Sequence, residues 1–186
     1  MLNNNSRQEK YWIESMEITN YIRTFDDFPE PGILFYDISP LLADPEAFEY
    51  AIDSLYSIIE KNPPDLIVGI ESRGFLFSTP LSVKLKCGAV MARKRGKLPG
   101  PTITNTYDLE YGTDTIEIQK GAIGPYKKII VIDDLLATGG TAKATIELIK
   151  NIGAEVIGSF FIIELNGLGG RDEIDTPITS LVSFDV

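Results

Sequence analysis

Residues 131–140 read VIDDLLATGG: an apolar run, two adjacent acids, then a string of small residues. The apolar run seeks burial and the paired carboxylates resist it, so the stretch marks the end of a buried strand. The segments around it repeat the same alternation. DLIVGIE (65–71), GAVMAR (88–93), KKIIVID (127–133) and AEVIGSFFIIEL (154–165) read as strands. GFLFSTPLSVKLK (74–86) and TAKATIELIKNIG (141–153) read as the helices between them. Apolar strands separated by helices predict an α/β fold, a mainly parallel twisted sheet flanked by helices. An earlier amphipathic helix is expected at 44–62, with Asp44 as its cap and Pro45 in its first turn. Residues 93–120 carry loop punctuation and then alternate in TDTIEIQ (113–119), which predicts a long loop leading into a hairpin.

The 186 residues suffice for one domain with a sizeable core, and no repeat or linker divides them. Nothing near the N-terminus resembles a secretion signal, and no apolar run approaches the ~18 residues of a membrane span. The lone Cys87 cannot close an internal disulfide, which fits a reducing, cytoplasmic setting. A net charge of -10 argues against nucleic acid as the main partner. The chain has no histidine, so acid–base chemistry falls to Asp, Glu, Tyr or Lys, and any metal would be a hard ion held by oxygens.

A strand feeding a glycine-rich turn that opens a helix is a ligand site in open α/β sheets. Small residues let the backbone approach a phosphate at the helix N-terminus. In ATGGT (137–141), Ala137, Gly139 and Gly140 supply that approach, and Thr138 and Thr141 add hydroxyl donors. Asp133 and Asp134 would repel a phosphate but accept bonds from hydroxyls. A ribose bearing a 5′-phosphate offers both groups. The stretch lacks the spacing of a P-loop or of a dinucleotide fingerprint.

IIVIDDLLATGGT closely resembles the phosphoribosyl pyrophosphate signature of the type I phosphoribosyltransferases. FPEPGILFYDISPLL (28–42), GIESRGFLF (69–77), RKRGKLPGPT (93–102) and YDLEYGTDTIEIQKGAI (107–123) resemble the adenine-specific branch, in order, from about residue 21 to 171. The resemblance implies transfer of a phosphoribosyl group from phosphoribosyl pyrophosphate to adenine, giving AMP and pyrophosphate. It implies Mg2+ bridging diphosphate and ribose oxygens, and a homodimer. It also implies one domain over 1–186, with an N-terminal extension or helix (1–20), a small N-terminal hood that binds the base (about 21–42) and a long flexible catalytic loop (about 93–113).

Roles follow by the same resemblance. Ser72 and Arg73 match the pyrophosphate loop, with a cis peptide expected near Glu71–Ser72. Arg93, Lys94, Arg95 and Lys97 form a basic cluster from which Arg93, Lys94 and Lys97 would grip pyrophosphate, Arg93 reaching toward a neighbouring subunit's site. Glu110 matches the proton acceptor for the purine, and Tyr111 closes the lid over it. Leu34, Phe35, Tyr36 and Leu136 are the adenine candidates, although Tyr36 stands where many members carry arginine. Tyr11 and Trp12 are expected only to pack. Two other readings remain. One is transfer to another purine, which would call for a lysine toward the oxo group that the signature strand lacks. The other is a regulatory module that binds phosphoribosyl pyrophosphate or a purine without turnover, against which Glu110 and the basic loop argue.

Overall fold

The computed structural model describes residues 16–108 and 112–186; Tyr11, Trp12, Glu110 and Tyr111 lie outside them. The chain divides into two compact units, residues 1–48 and 49–186.

In the first unit a short 3-10 turn, Ile18–Tyr21, precedes a two-stranded antiparallel ribbon, β1 (Arg23–Phe25) with β2 (Phe35–Asp37), and then helix α1 (Ser39–Ala43). Arg23 ties the ribbon together, its guanidinium bonding Asp37 Oδ2 at 2.5 Å across the register pair. Asp37 Oδ1 accepts the Ser39 amide and hydroxyl. The Ser39 bonds and the Arg23 guanidinium overcome burial and lower the Asp37 carboxyl to about 2. Helix α2 (Pro45–Ile59) opens as expected, with Asp44 Oδ1 accepting the amides of Glu46 and Ala47.

The second unit is built on a seven-stranded sheet. Its strands are β3 (Leu66–Ile70), β4 (Gly88–Lys94), β5 (Thr102–Asp108), β6 (Thr113–Gln119), β7 (Lys128–Leu136), β8 (Glu155–Asn166) and β9 (Ile178–Asp185). Their order is β5-β6-β4-β3-β7-β8-β9. The β4-β3-β7-β8-β9 run is parallel throughout, and β6 joins β4 antiparallel. Helices α3 (Gly74–Leu85) and α4 (Gly140–Asn151) make the crossovers β3-to-β4 and β7-to-β8. All five residues of β3 are buried, as expected for a strand covered on both faces. Phe77 and Phe161 are the largest fully buried side chains, each burial contributing about 1.5–3 kcal/mol.

The sequence pattern differs from the structure in two places. Residues 102–108, expected as loop, form β5, paired along its length with β6. Pro99, Gly100 and Pro101 supply the loop signal, but beyond them Ile103 and Tyr107 alternate inward to pack on the core. The third inward position, Asn105, bonds the Ala144 carbonyl of α4 at 3.0 Å, so the apolar period is broken by a polar residue with a partner. Strand β9 had no expectation at all; its residues are mostly half-exposed at the sheet edge, so no apolar run announces it.

Candidate active site

Strand β7 carries Asp133 and Asp134 near its carboxyl end and passes through residues 137–139 into α4. Gly139, with φ +82°, starts the helix, and a Cβ there would stand 2.7 Å from the Gly170 carbonyl oxygen. Both the backbone angle and the close approach require glycine. Among the described residues no side chain caps α4, so the amides of its first turn are open to an anion. A cleft of about 600 Å³ lies over this turn, lined by Asp133, residues 135–142, Leu168, Gly169 and Glu173. The ribose-phosphate candidates from 137 to 141 all line it, together with Asp133 and Leu136. Leu136 is only 1% exposed and belongs to the core beneath the turn.

The acid pair is poorly satisfied. Asp133 Oδ1 accepts the Asp134 amide at 2.9 Å. Asp134 Oδ2 lies 2.8 Å from Arg73 Nη2, an ionic contact, yet among the described residues this buried oxygen has no aligned hydrogen bond. Burial raises both carboxyls above their ordinary range; the Asp134 charge pushes Asp133 further, while Arg73 opposes the shift at each. A half-buried carboxylate on the cleft next to a buried one, with spare acceptor capacity, suits a partner that brings donors without charge, such as a diol. Arg73 reaches the pair because α3 begins against it: a Cβ at Gly74 would fall 2.6 Å from the Ile132 carbonyl and 3.0 Å from Asp133 Oδ1.

On the other side of Arg73 the peptide Glu71–Ser72 is cis, at the position expected. Ser72 is exposed. The basic cluster is drawn together by acids of its own chain. Glu71, its side chain 8% exposed, accepts the Lys94 amide at 2.9 Å, Arg93 Nε at 3.3 Å and the Lys97 ammonium. Burial would raise the Glu71 carboxyl, but the bonds from Lys97, Lys94 and Arg93 outweigh it and hold the group low. Arg93 also donates to the Lys97 carbonyl at 3.0 Å, and Lys94 pairs with Asp114 at 2.9 Å. The guanidinium of Arg93 is thus engaged within its own chain.

Four contributors escaped the sequence reading: Glu71, Tyr107, Asp114 and Glu117. The Tyr107 hydroxyl lies 3.0 Å from Thr141 Oγ1, orienting a hydroxyl of the candidate phosphate turn, and burial raises the phenol's pKa. Glu117 is 4% exposed between buried Ile116 and Ile118. A carboxylate flanked by core residues in an alternating strand was the available signal, because it must have partners.

In the N-terminal unit, Leu34 is 40% exposed and Phe35 packs edge-on against Phe28, with ring centroids 5.0 Å apart. Tyr36 is 5% exposed, and burial raises its phenol. Its side chain is therefore taken up by the fold, and its main chain pairs with Thr24.

This strand–turn–helix site on a mainly parallel sheet is that of a phosphoribosyl transferase domain, and the family model of that description matches residues 38–185. The chain is 56% identical over 170 residues to the adenine phosphoribosyltransferase of Rhodospirillum centenum, covering 91% of this chain and 99% of that one. The structure of adenine phosphoribosyltransferase from Rhodothermus marinus superposes with a TM-score of 0.86 at 46% identity, over 90% of this chain and 96% of that one. That of the Saccharomyces cerevisiae enzyme, complexed with an imino-altritol bisphosphate and adenine, gives 0.83 at 40% identity, over 89% and 96%. The chain belongs to the adenine phosphoribosyltransferases.

Proposed function

We propose that this protein transfers the phosphoribosyl group of phosphoribosyl pyrophosphate to adenine, releasing AMP and pyrophosphate. The observation that carries the reading is the β7–α4 turn: Asp133 and an uncapped helix N-terminus line one cleft, with Asp134 buried behind them against Arg73. The 5′-phosphate sits on the amides and hydroxyls of residues 137–141. Asp133 and Asp134 accept the ribose hydroxyls. Ser72 and Arg73, with Arg93, Lys94 and Lys97, take the departing pyrophosphate, whose charge grows as the glycosidic carbon becomes cation-like.

Glu110 takes the proton that adenine loses, and Tyr111 covers the reacting centre against water. Leu34 and Phe35 offer apolar contact to the base, Tyr36 contributes through its main chain, and Leu136 lends an edge below the ribose turn. The hood at about 21–42 and the loop at about 93–113 act as parts of one catalytic domain over 1–186. Among the described residues no cluster of three or more Asp, Glu or Cys forms a ready cage for a cation. Mg2+ would be held mainly through the substrate's own oxygens and water, where it would offset diphosphate charge. The functional form is a homodimer. No described helix is long and apolar enough to cross a membrane, and we assign the activity to the cytoplasm.

An assay of nucleotide formation with adenine, hypoxanthine and guanine, each with phosphoribosyl pyrophosphate and Mg2+, tests this reading. AMP from adenine alone is expected. Equal use of hypoxanthine or guanine would make it a transferase for other purines, and binding without turnover would make it a sensor.

A further inference from the structure

We propose that Glu117 is a positioning residue for pyrophosphate recognition, acting by fixing the turn that presents Lys97 and braces Arg93. The proposal rests on the pyrophosphate role given above to those two cations. Glu117 Oε1 accepts three successive amides of the turn, from Gly96 at 3.0 Å, Lys97 at 3.2 Å and Leu98 at 3.2 Å. Its Oε2 accepts the Thr102 hydroxyl at 3.0 Å, where the chain leaves the turn and enters β5. A single carboxylate thus organises both ends of the segment that joins β4 to β5.

The consequences reach the cations through the turn's own backbone. Arg93 stands opposite Glu117 in the β4–β6 register and donates to the Lys97 carbonyl. The Lys97 ammonium reaches Glu71 at the end of β3, beside the Ser72–Arg73 pyrophosphate loop. Without Glu117, the Gly96 and Leu98 amides lose their acceptor and the Lys97 amide keeps only the Lys94 carbonyl at 3.3 Å; among the described residues no other side chain holds these amides. Ile116 and Ile118 flank Glu117 and are 1% and 0% exposed, so the fold carries a charge where an apolar residue would pack at lower cost. What that charge provides is a fixed seat for the cationic turn.

The test is a kinetic comparison of Glu117→Ala, Glu117→Gln, Lys97→Ala and the Glu117→Ala/Lys97→Ala double variant. Glu117→Ala is expected to raise KM for phosphoribosyl pyrophosphate about tenfold, the loss of roughly one charge-assisted contact. KM for adenine should stay within about twofold. Glu117→Gln keeps an oxygen acceptor for the three amides and should recover most of the loss. The double variant should be worse than Lys97→Ala by no more than the Arg93 share, and clearly less than the two single losses combined, because both changes remove the Lys97 contact while Arg93 is braced by the Lys97 carbonyl. Equal damage to both KM values, or no recovery with glutamine, would reduce Glu117 to a stabilising residue and overturn the proposal. So would additive losses in the double variant. If Lys97→Ala and Arg93→Ala leave KM for phosphoribosyl pyrophosphate unchanged, the underlying pyrophosphate assignment fails instead. Should Glu117→Ala not fold, Glu117→Asp, one methylene too short to reach all three amides, must show the same selective rise in KM.

Discussion

Two groups of carboxylates lie on either side of Arg73, and the fold treats them oppositely. Asp133 and Asp134 are both raised by burial, Asp133 also by the Asp134 charge, and one buried oxygen has no aligned hydrogen bond among the described residues. Glu71 is also buried, yet it is held low by Lys97, Lys94 and Arg93, while Glu117 is fully engaged by the turn. The difference separates a pair with spare acceptor capacity, to which we assign a ligand, from carboxylates that the fold itself satisfies. A group that waits for a substrate is left short of partners and costs stability until the ligand arrives. A group that builds the site is satisfied beforehand.

The largest expected effect falls on a carboxylate of neither group. Glu110→Gln should lower kcat by ~10²–10⁴-fold, with much smaller changes in KM, measured by steady-state AMP formation. A variant with near-normal kcat would leave Glu110 a loop residue. The next effect probes the waiting pair. Asp133→Asn with Asp134→Asn should weaken phosphoribosyl pyrophosphate binding by about 10–100-fold: each carboxylate–hydroxyl bond contributes ~1.5–3 kcal/mol, and the Asn amide oxygens keep about half of the two bonds' sum as neutral acceptors. Calorimetric titration of the folded double variant reads this directly, and unchanged affinity would refute the diol assignment.

The opposite treatment of the two groups predicts opposite stability changes. Glu71→Ala should cost about 1–3 kcal/mol in urea melts; the buried acceptor is lost, but its cations are partly exposed and can hydrate. Asp133→Asn should instead stabilise the ligand-free protein by on the order of 1 kcal/mol at neutral pH, or about 2–4 °C. The pH dependence supplies the sign. A carboxyl raised in the folded state contributes stability that is present below its unfolded value of 3.8 and lost as pH rises through the folded value. The Tm advantage of Asp133→Asn should therefore be small near pH 4 and grow toward pH 7. Glu71 is lowered from 4.5, so its contribution is present above that value and disappears as pH falls. The deficit of Glu71→Ala should shrink on acidification. Two curves of the same slope would abolish the distinction between the groups.

Local pattern alone determined the parallel α/β core and the strand–turn–helix unit that carries the proposed ribose-phosphate residues. Both are written in contiguous residues: apolar runs of strand length, a cap at Asp44, and an acid pair running into ATGGT. Strands β5 and β9 were invisible to it. At β5 the inward period is carried partly by Asn105, whose partner comes from α4, and β9 is an edge strand with little apolar contrast. The roles of Glu71 and Glu117 were equally hidden. Their partners lie 19 to 26 residues away for the basic turn, and only sheet pairing between β3, β4 and β6 brings them together. A carboxylate's pKa depends on what surrounds it rather than on its neighbours in sequence. Tertiary structure therefore decided which acids in this chain are strained and which are satisfied.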